Sequence, residues 1–395
     1  LKFVHFFEVR VSVTRFQEKK MAKYRIAWLP GDGVGKEVME AMKIVLDGLK
    51  LDAEYIHGDI GWDFWCKEGD PLPKRTTDMM KKTDCALFGA ITSKPQREAK
   101  EELIPELKDK DLVYFSPIVR LRQEFDLYCN ERPNVAFAGN PLNLKDDINI
   151  TVFRENTEGS YAGVEFGPVT ENLKNAMLKD APKMKKFMDT AGEDMAISTR
   201  IVTKKGAERI IRSAFEHADK FKKSSVTLVE KPNVLRKTGG IMVEIFEEVA
   251  KEYPHIDSWF DNVDAIAMWL VKSPEKYEVL VAENLFGDII SDLAGQLVGG
   301  LGFAHSGNTG NGYAVFEPVH GSAPKYEGMY KVNPMAMFLA GKMMLDYLGE
   351  TEKAEKLLKG VEKTVRDLKV VTYDLGGTAK TLEVAKEVLK NALEA

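Results

Sequence analysis

Cysteine is scarce: three in 395 residues, Cys66, Cys85 and Cys129, an odd number at wide spacings. No C-x-x-C pair is present to hold zinc or to run dithiol chemistry. Such usage suits a reducing compartment, and the cytoplasm is the expected location. Long apolar runs are also lacking. AIAMWLV stops at Lys272 and NPMAMFLAGKMMLDYLG is broken at Lys342, short of the roughly 20 residues that span a bilayer, so no membrane crossing is expected. There is no excess of positive charge: 56 Lys and Arg stand against 61 Asp and Glu, a net charge of −5. That leaves no broad basic face for nucleic acid or anionic lipid. Tandem repeats and low-complexity tracts are missing as well. What remains, 44% hydrophobic and 30% charged residues, is the composition of a folded globular protein. The length is about two to three times that of a typical domain, so two domains are expected.

The first twenty residues are interrupted by Glu8 and Arg10 and lead to no small-residue cleavage site, so they read as a disordered or untranslated leader rather than a targeting peptide. From Tyr24 the pattern is strand, glycine turn, helix: YRIAWLP, GDGVG, KEVMEAMKIVLDGLK. Short apolar runs follow, CALFGAI, NITVFR, SVTLVE, AIAMWLV and VLVAENLFG, alternating with helical stretches such as TKKGAERIIRSAFEHADKF and GIMVEIFEEVAKEY. Such alternation predicts an α/β fold with sheets covered by helices. The lysine-rich span 172–191 has weak strand character between two β-like regions and reads as a protruding loop or helical arm. The C-terminal NPMAMFLAGKMMLDYLGE and TAKTLEVAKEVLKNALEA are amphipathic, with Met and Leu stripes that belong to a core.

GDGVGKEV places Gly31, Gly33 and Gly35 between a strand and a helix, yet Lys36 stands where the third glycine of a dinucleotide fingerprint belongs. A tight strand-to-helix turn is the plainer reading. Three arginines, Arg122 and Arg132 in SPIVRLRQEFDLYCNERP and Arg154 in FRENTEGSYAG, lie near the ends of predicted elements and close in sequence to Tyr161. A guanidinium pairs with a carboxylate through two parallel hydrogen bonds, so three of them suit a polycarboxylate, although each alone could be a surface ion pair. Asp288 and Asp292 in ENLFGDIISDLAGQ fall one helical turn apart on one face. Like charges so placed are mutually destabilising, so a positive group is expected between them. A hard divalent cation, with Asp264 of NVDAIAMW as a further ligand, is the natural candidate; a helix-terminus charge effect is the alternative. Lys231 in LVEKPNV follows an apolar strand, where a lowered pKa would suit a general base, although a lone lysine is usually just solvated.

Together NLFGDIISDLAGQLVGGLGF, RENTEGSYAG, EPVHGSAPKYEG and RLRQEFDLYCNERP resemble the β-decarboxylating dehydrogenase family, which includes isocitrate, 3-isopropylmalate, homoisocitrate and tartrate or D-malate dehydrogenases; the resemblance runs from about Tyr24 to the C-terminus. It implies an isocitrate/isopropylmalate dehydrogenase-like α/β fold of two domains without a Rossmann unit, the active site in the cleft between them. A large cofactor domain would comprise 21–127 and 299–395, and a small domain with dimerisation and arm regions 128–298. The resemblance also implies a homodimer with shared sites, Lys231 and Asp264 coming from the partner chain. Arg122, Arg132 and Arg154 would hold substrate carboxylates, and Asp264, Asp288 and Asp292 would hold Mg²⁺ or Mn²⁺. Lys231, relayed through an aspartate such as Asp264, would take the C2 hydroxyl proton, and Tyr161 would protonate C3.

Family members differ just before the first arginine, where isopropylmalate enzymes carry Leu-Leu and isocitrate enzymes Ser-x-Asn. Here Ser116, Pro117, Ile118 and Val119 stand. Ser116 matches the isocitrate pattern, while Ile118 replaces its asparagine and the segment also resembles homoisocitrate enzymes. Isocitrate leads, then homoisocitrate, then 3-isopropylmalate and D-malate or tartrate. His320, Gly321, Ala323 and Asn333 match the family's adenosine-binding loop. Lys325 and Tyr326, where NAD-using relatives carry Asp-Ile, together with Tyr373, resemble a 2′-phosphate pocket, so NADP is preferred over NAD. Gly377 stands where NADP-specific bacterial isocitrate enzymes carry an arginine, which leaves that pocket incomplete and dual use open. A noncatalytic regulatory subunit is the non-enzyme alternative; the retained Tyr161, Lys231 and three aspartates argue against it.

Overall fold

The apolar run that opens at Tyr24 becomes strand β1 (Tyr24–Gly31), and its alternating side chains divide between two cores. Ile26 and Trp28 face one helical layer, Ala27 and Leu29 the other, as the two-residue period of a strand requires. The computed structural model describes residues 22–395; the leader expected over 1–20 lies outside them. After β1 come α1 (Val34–Gly48), β2 (Ala53–His57), α2 (Trp62–Glu68), α3 (Lys74–Met80) and β3 (Cys85–Ala90). Next are α4 (Gln96–Glu101), α5 (Pro105–Lys108) and α6 (Pro117–Glu124). Strands β4 (Cys129–Val135) and β5 (Asn149–Glu155) precede a two-stranded ribbon, β6 (Glu165–Phe166) with β7 (Ile197–Ser198), which encloses α7 (Glu171–Asp180). The arm expected over 172–191 is therefore helical, carried on a ribbon.

The chain continues through α8 (Lys204–Lys220), β8 (Ser225–Glu230), α9 (Thr238–Ala250), β9 (Asp257–Asn262), α10 (Val263–Lys272), β10 (Val279–Ala282) and α11 (Asn284–Gln296). It ends with the hairpin β11 (His305–Thr309) and β12 (Ala314–Pro318), then α12 (Met335–Tyr347), α13 (Thr351–Asp367) and α14 (Thr381–Glu394). Ten strands form one sheet in the order β2-β1-β3-β12-β11-β4-β5-β10-β8-β9. Its two wings are parallel and its centre, β12-β11-β4-β5, is antiparallel. This is an α/β fold with no Rossmann unit. Apolar residues of α1, α12, α13 and α14 cover one face of the first wing. On the second wing α8 and α9 cover one face, with Phe215 and Phe246 against Val226 and Val279; α10 and α11 cover the other, with Ile266 and Ile290 against Leu280. Each such fully buried side chain contributes roughly 1.5–3 kcal/mol.

Two sequence expectations change. AIAMWLV, read among the short strands, lies within α10. A brief apolar run has no period of its own, and here Ile266 and Leu270, four apart, face the core while Met268 and Val271 face outward. Conversely β4, CNERPNV, and β11, HSGNT, are strands without apolar alternation. The glycine turn is as the plainer reading held: Gly31 and Gly33 have φ of 68° and 51°, and a Cβ on Gly33 would lie 2.2 Å from the Ser322 carbonyl oxygen. Val34 N–H donates to that same carbonyl at 2.9 Å, so the turn packs against the HGSAP loop.

Candidate active site

The polar centre of the sheet brings the arginines together. Pairing sets Asn130 of β4 opposite Arg154 of β5 on one side and Asn308 of β11 on the other, and Arg132, two residues on from Asn130, shares its face. Arg122 arrives from α6 above β11. All three guanidiniums are buried, and with Tyr161, Asp288 and Ser116 they line one cavity of about 290 Å³. Its opposite wall is apolar, formed by Phe88, Ile91, Ile118 and Val119.

Each guanidinium is held by neutral and acidic partners. Arg122 Nε donates to Asn308 Oδ1 at 3.1 Å and Nη2 to Glu317 Oε1 at 3.0 Å. Arg132 Nε donates to Asn130 Oδ1 at 2.7 Å, and its Nη1 to Ser291 Oγ at 2.8 Å and Asp292 Oδ1 at 2.9 Å. Arg154 Nη2 donates to Asn284 Oδ1 at 2.8 Å, while Nη1 lies 2.6 Å from Asp288 Oδ1. Burial, and then the mutual repulsion of the three cations, disfavours the charge on Arg154. Arginine keeps its proton nonetheless, so a polyanion entering the cavity relieves an unfavourable concentration of positive charge.

Asp288 and Asp292 sit one turn apart on α11, as expected. The positive group between them in the single chain is Arg132, which also reaches Asp288 at 3.5 Å. Burial works to raise the Asp288 carboxyl, but Arg154 and Arg132 outweigh it and hold the group below the usual carboxylate range. For Asp292 burial wins over Arg132, and the charge of Asp288 adds to the rise. Tyr161 Oη donates to Asp288 Oδ2 at 2.5 Å, and its ring lies 5.0 Å from the Arg154 guanidinium. Burial first, then the bond to and charge of Asp288, raises the Tyr161 hydroxyl, so it is protonated at neutral pH.

Lys231 and Asp264 meet each other in an ion pair, and neither lines this cavity. Among the described residues no three Asp, Glu, His or Cys side chains converge on a point that could hold a metal ion. Two oxygen donors at α11, one with a raised and half-exposed carboxyl, nonetheless have the chemistry of a partial site for a hard divalent cation.

A second cavity of about 360 Å³ shares His320 with the first. Ala323, Tyr326, Asn333 and Tyr373 line it together with Val34 and the turn 299–302. Gly321 lines the first cavity, and Lys325 Nζ lies 4.9 Å over the Tyr326 ring. Sequence reasoning missed the residues that hold the arginines: Asn308, Asn130, Glu317, Asn284 and Ser291. Glu317 and Asn284 sit inside or beside stretches already singled out, EPVHG and NLFGD, but nothing marked Asn308.

A sequence profile described as isocitrate/isopropylmalate dehydrogenase matches residues 25–388. The chain is 41% identical over 367 residues to protein DlpA of Legionella pneumophila, covering 93% of this chain and 58% of that longer protein. It is 42% identical over 376 residues to a homoisocitrate dehydrogenase of Methanocaldococcus jannaschii, covering 92% and 96% of the two chains. The crystal structure of an isocitrate dehydrogenase from Methylococcus capsulatus superposes with a TM-score of 0.80 at 36% identity, covering 93% of this chain and 99% of that one.

Proposed function

The chain belongs to the isocitrate/isopropylmalate dehydrogenase family, metal-dependent enzymes that oxidatively decarboxylate 3-carboxy-2-hydroxy acids with NAD(P), and on that premise we propose that it converts isocitrate to 2-oxoglutarate. The observation that carries the substrate is the joining of three buried guanidiniums to Ser116 in one cavity. Ser116 caps α6 without using its side chain for a cap bond, so its hydroxyl and the first-turn amides of Ile118 and Val119 suit a third carboxylate. Homoisocitrate is the second reading. It is favoured by Ile118 and Val119, which give one more methylene an apolar surface before that carboxylate.

Arg122, Arg132 and Arg154 bind and orient the malate portion. Asp288 and Asp292 of one chain with Asp264 of a second would hold the metal. His320, Gly321, Ala323, Lys325, Tyr326, Asn333 and Tyr373 would hold NADP, which would supply the hydride acceptor, and Mg²⁺ or Mn²⁺, when bound, would supply a Lewis acid for the C2 oxygen. Lys231 of that second chain would accept the C2 hydroxyl proton as the neutral amine, after giving up to solvent the proton that now pairs it with Asp264. Tyr161, kept protonated by burial and Asp288, returns a proton to C3 after the carboxylate leaves as CO₂.

A homodimer is part of this proposal. Met268 and Val271 of α10 and Leu285 and Ile289 of α11 are exposed on two adjacent helices, an apolar face that a second copy would cover. The same contact would bring Lys231 and Asp264 to the partner's arginines. The proposed cleft separates a domain of 21–127 with 299–395 from one of 128–298, and the division passes between β11 and β4 in the sheet. Appearance of reduced nicotinamide with isocitrate, Mg²⁺ and NADP tests the proposal; no turnover of either isocitrate or homoisocitrate would overturn it.

A further inference from the structure

At the mouth of the second cavity the rings of Tyr326 and Tyr373 stand 6.3 Å apart. Lys331 Nζ sits 4.6 Å over the Tyr373 ring and 5.8 Å over the Tyr326 ring, so it spans the pair. Lys325 Nζ covers Tyr326 at 4.9 Å. Neither lysine forms an ion pair among the described residues, although acids are near in sequence. Glu327 is taken by Lys36 at 3.0 Å, Glu40 accepts from Tyr330 at 2.7 Å, and Asp374 accepts from Asn333 at 2.8 Å and Thr372 at 2.5 Å. Two ammonium groups thus flank two phenols, with Glu327, Glu40 and Asp374 each engaged elsewhere. A doubly charged oxyanion is the ligand such a set fits, since it pairs with both cations and accepts from both hydroxyls.

Gly377 sharpens the assignment. A Cβ built there would lie 2.0 Å from the Val371 carbonyl oxygen and 2.7 Å from its carbon, so this backbone admits no side chain at that position, arginine included. The cation missing from the C-terminal side of the pocket cannot be restored in place. Lys331, from the loop between β12 and α12, supplies a positive charge over the Tyr373 ring. We infer that Lys331 is a specificity-determining residue, clamping the 2′-phosphate of the nucleotide together with Lys325, Tyr326 and Tyr373. The inference rests on the reading of the second cavity as the nucleotide site and of NADP as its preferred occupant.

The test uses the full chain without catalysis: calorimetric titration with adenosine 2′,5′-bisphosphate and, separately, with 5′-AMP, at low and high salt. Wild type should bind the bisphosphate more tightly, with an advantage that shrinks as salt rises. Lys331→Met should cut that advantage on the order of tenfold, the worth of one charge-assisted hydrogen bond. Lys331→Arg should keep most of it, and both variants should melt within a few degrees of wild type because the side chain is exposed. Equal binding of the two nucleotides by wild type would overturn the NADP reading and the inference with it. A wild-type preference that Lys331→Met leaves intact would overturn the inference alone.

Discussion

In the proposed reaction Tyr161 carries the chemistry that separates decarboxylation from simple oxidation. Its hydroxyl is held against Asp288 and kept protonated, so Tyr161→Phe should lower oxidative decarboxylation by about 10²- to 10⁴-fold, the usual worth of a positioned acid. Reduction of the 2-oxo acid should be largely spared. Equal loss in the two assays would remove the assignment. A second residue sets a pH limit on the fold itself. Burial lowers His305 to about 4 against an ordinary 6.5. Between those values the unfolded chain binds a proton that the folded chain refuses, so stability falls as pH drops from 6.5 toward 4, by about 3 kcal/mol for this group. Chemical denaturation across that range should show the loss, and His305→Gln should flatten it. Arg122, Arg132 and Arg154 were legible in the sequence together with Asp288 by their side-chain chemistry, and Tyr326 with Tyr373 only through the family resemblance; the first set lines one cavity and the second pair lines the other. The geometry between them was not: that Arg132 lies between Asp288 and Asp292 depends on a strand far away in sequence.

At the scale of elements, apolar period foretold β1, β3, β5, β8 and β10, and misread α10. It gave no signal for β4 or β11. Pro133 argues against a central strand, and CNERPNV and HSGNT carry polar side chains inward because Arg132 lines the cavity while Asn130 and Asn308 hold Arg132 and Arg122. Asn308 shows the cost of that design. Fully buried, its Oδ1 accepts from Arg122, Asn130 and Asn156, while its Nδ2 donates to Glu317 and to the Val315 carbonyl. Replacing it with leucine removes all five bonds and takes from Arg122 Nε and Asn130 Nδ2 the one partner each has among the described residues. Asn308→Leu should destabilise the protein by about 3 kcal/mol or more, read as a lower denaturation midpoint, and should raise KM for the acid through Arg122. A shift below ~1 kcal/mol would mean that the network is not cooperative.

At the scale of the whole molecule, the length that suggested two domains is met by one ten-stranded sheet whose two wings have separate cores and whose polar centre holds the arginines. One chain leaves Lys231 and Asp264 outside the arginine cavity. If a second copy supplies them, Ile289→Asp on the exposed face should yield a monomer by sedimentation, with activity down at least ~10²-fold, the loss of a general base, and the fold intact by circular dichroism. An active monomer would refute shared sites. The central claim is the substrate, and the most direct measurement is kcat/KM for isocitrate, homoisocitrate, 3-isopropylmalate and D-malate, each with Mg²⁺ and with NADP or NAD. Isocitrate with NADP should rank first and homoisocitrate second, both ahead of the other two by more than about 10-fold, since a site with polar groups for a carboxylate penalises an analogue lacking it. Faster turnover of 3-isopropylmalate or D-malate would contradict the account.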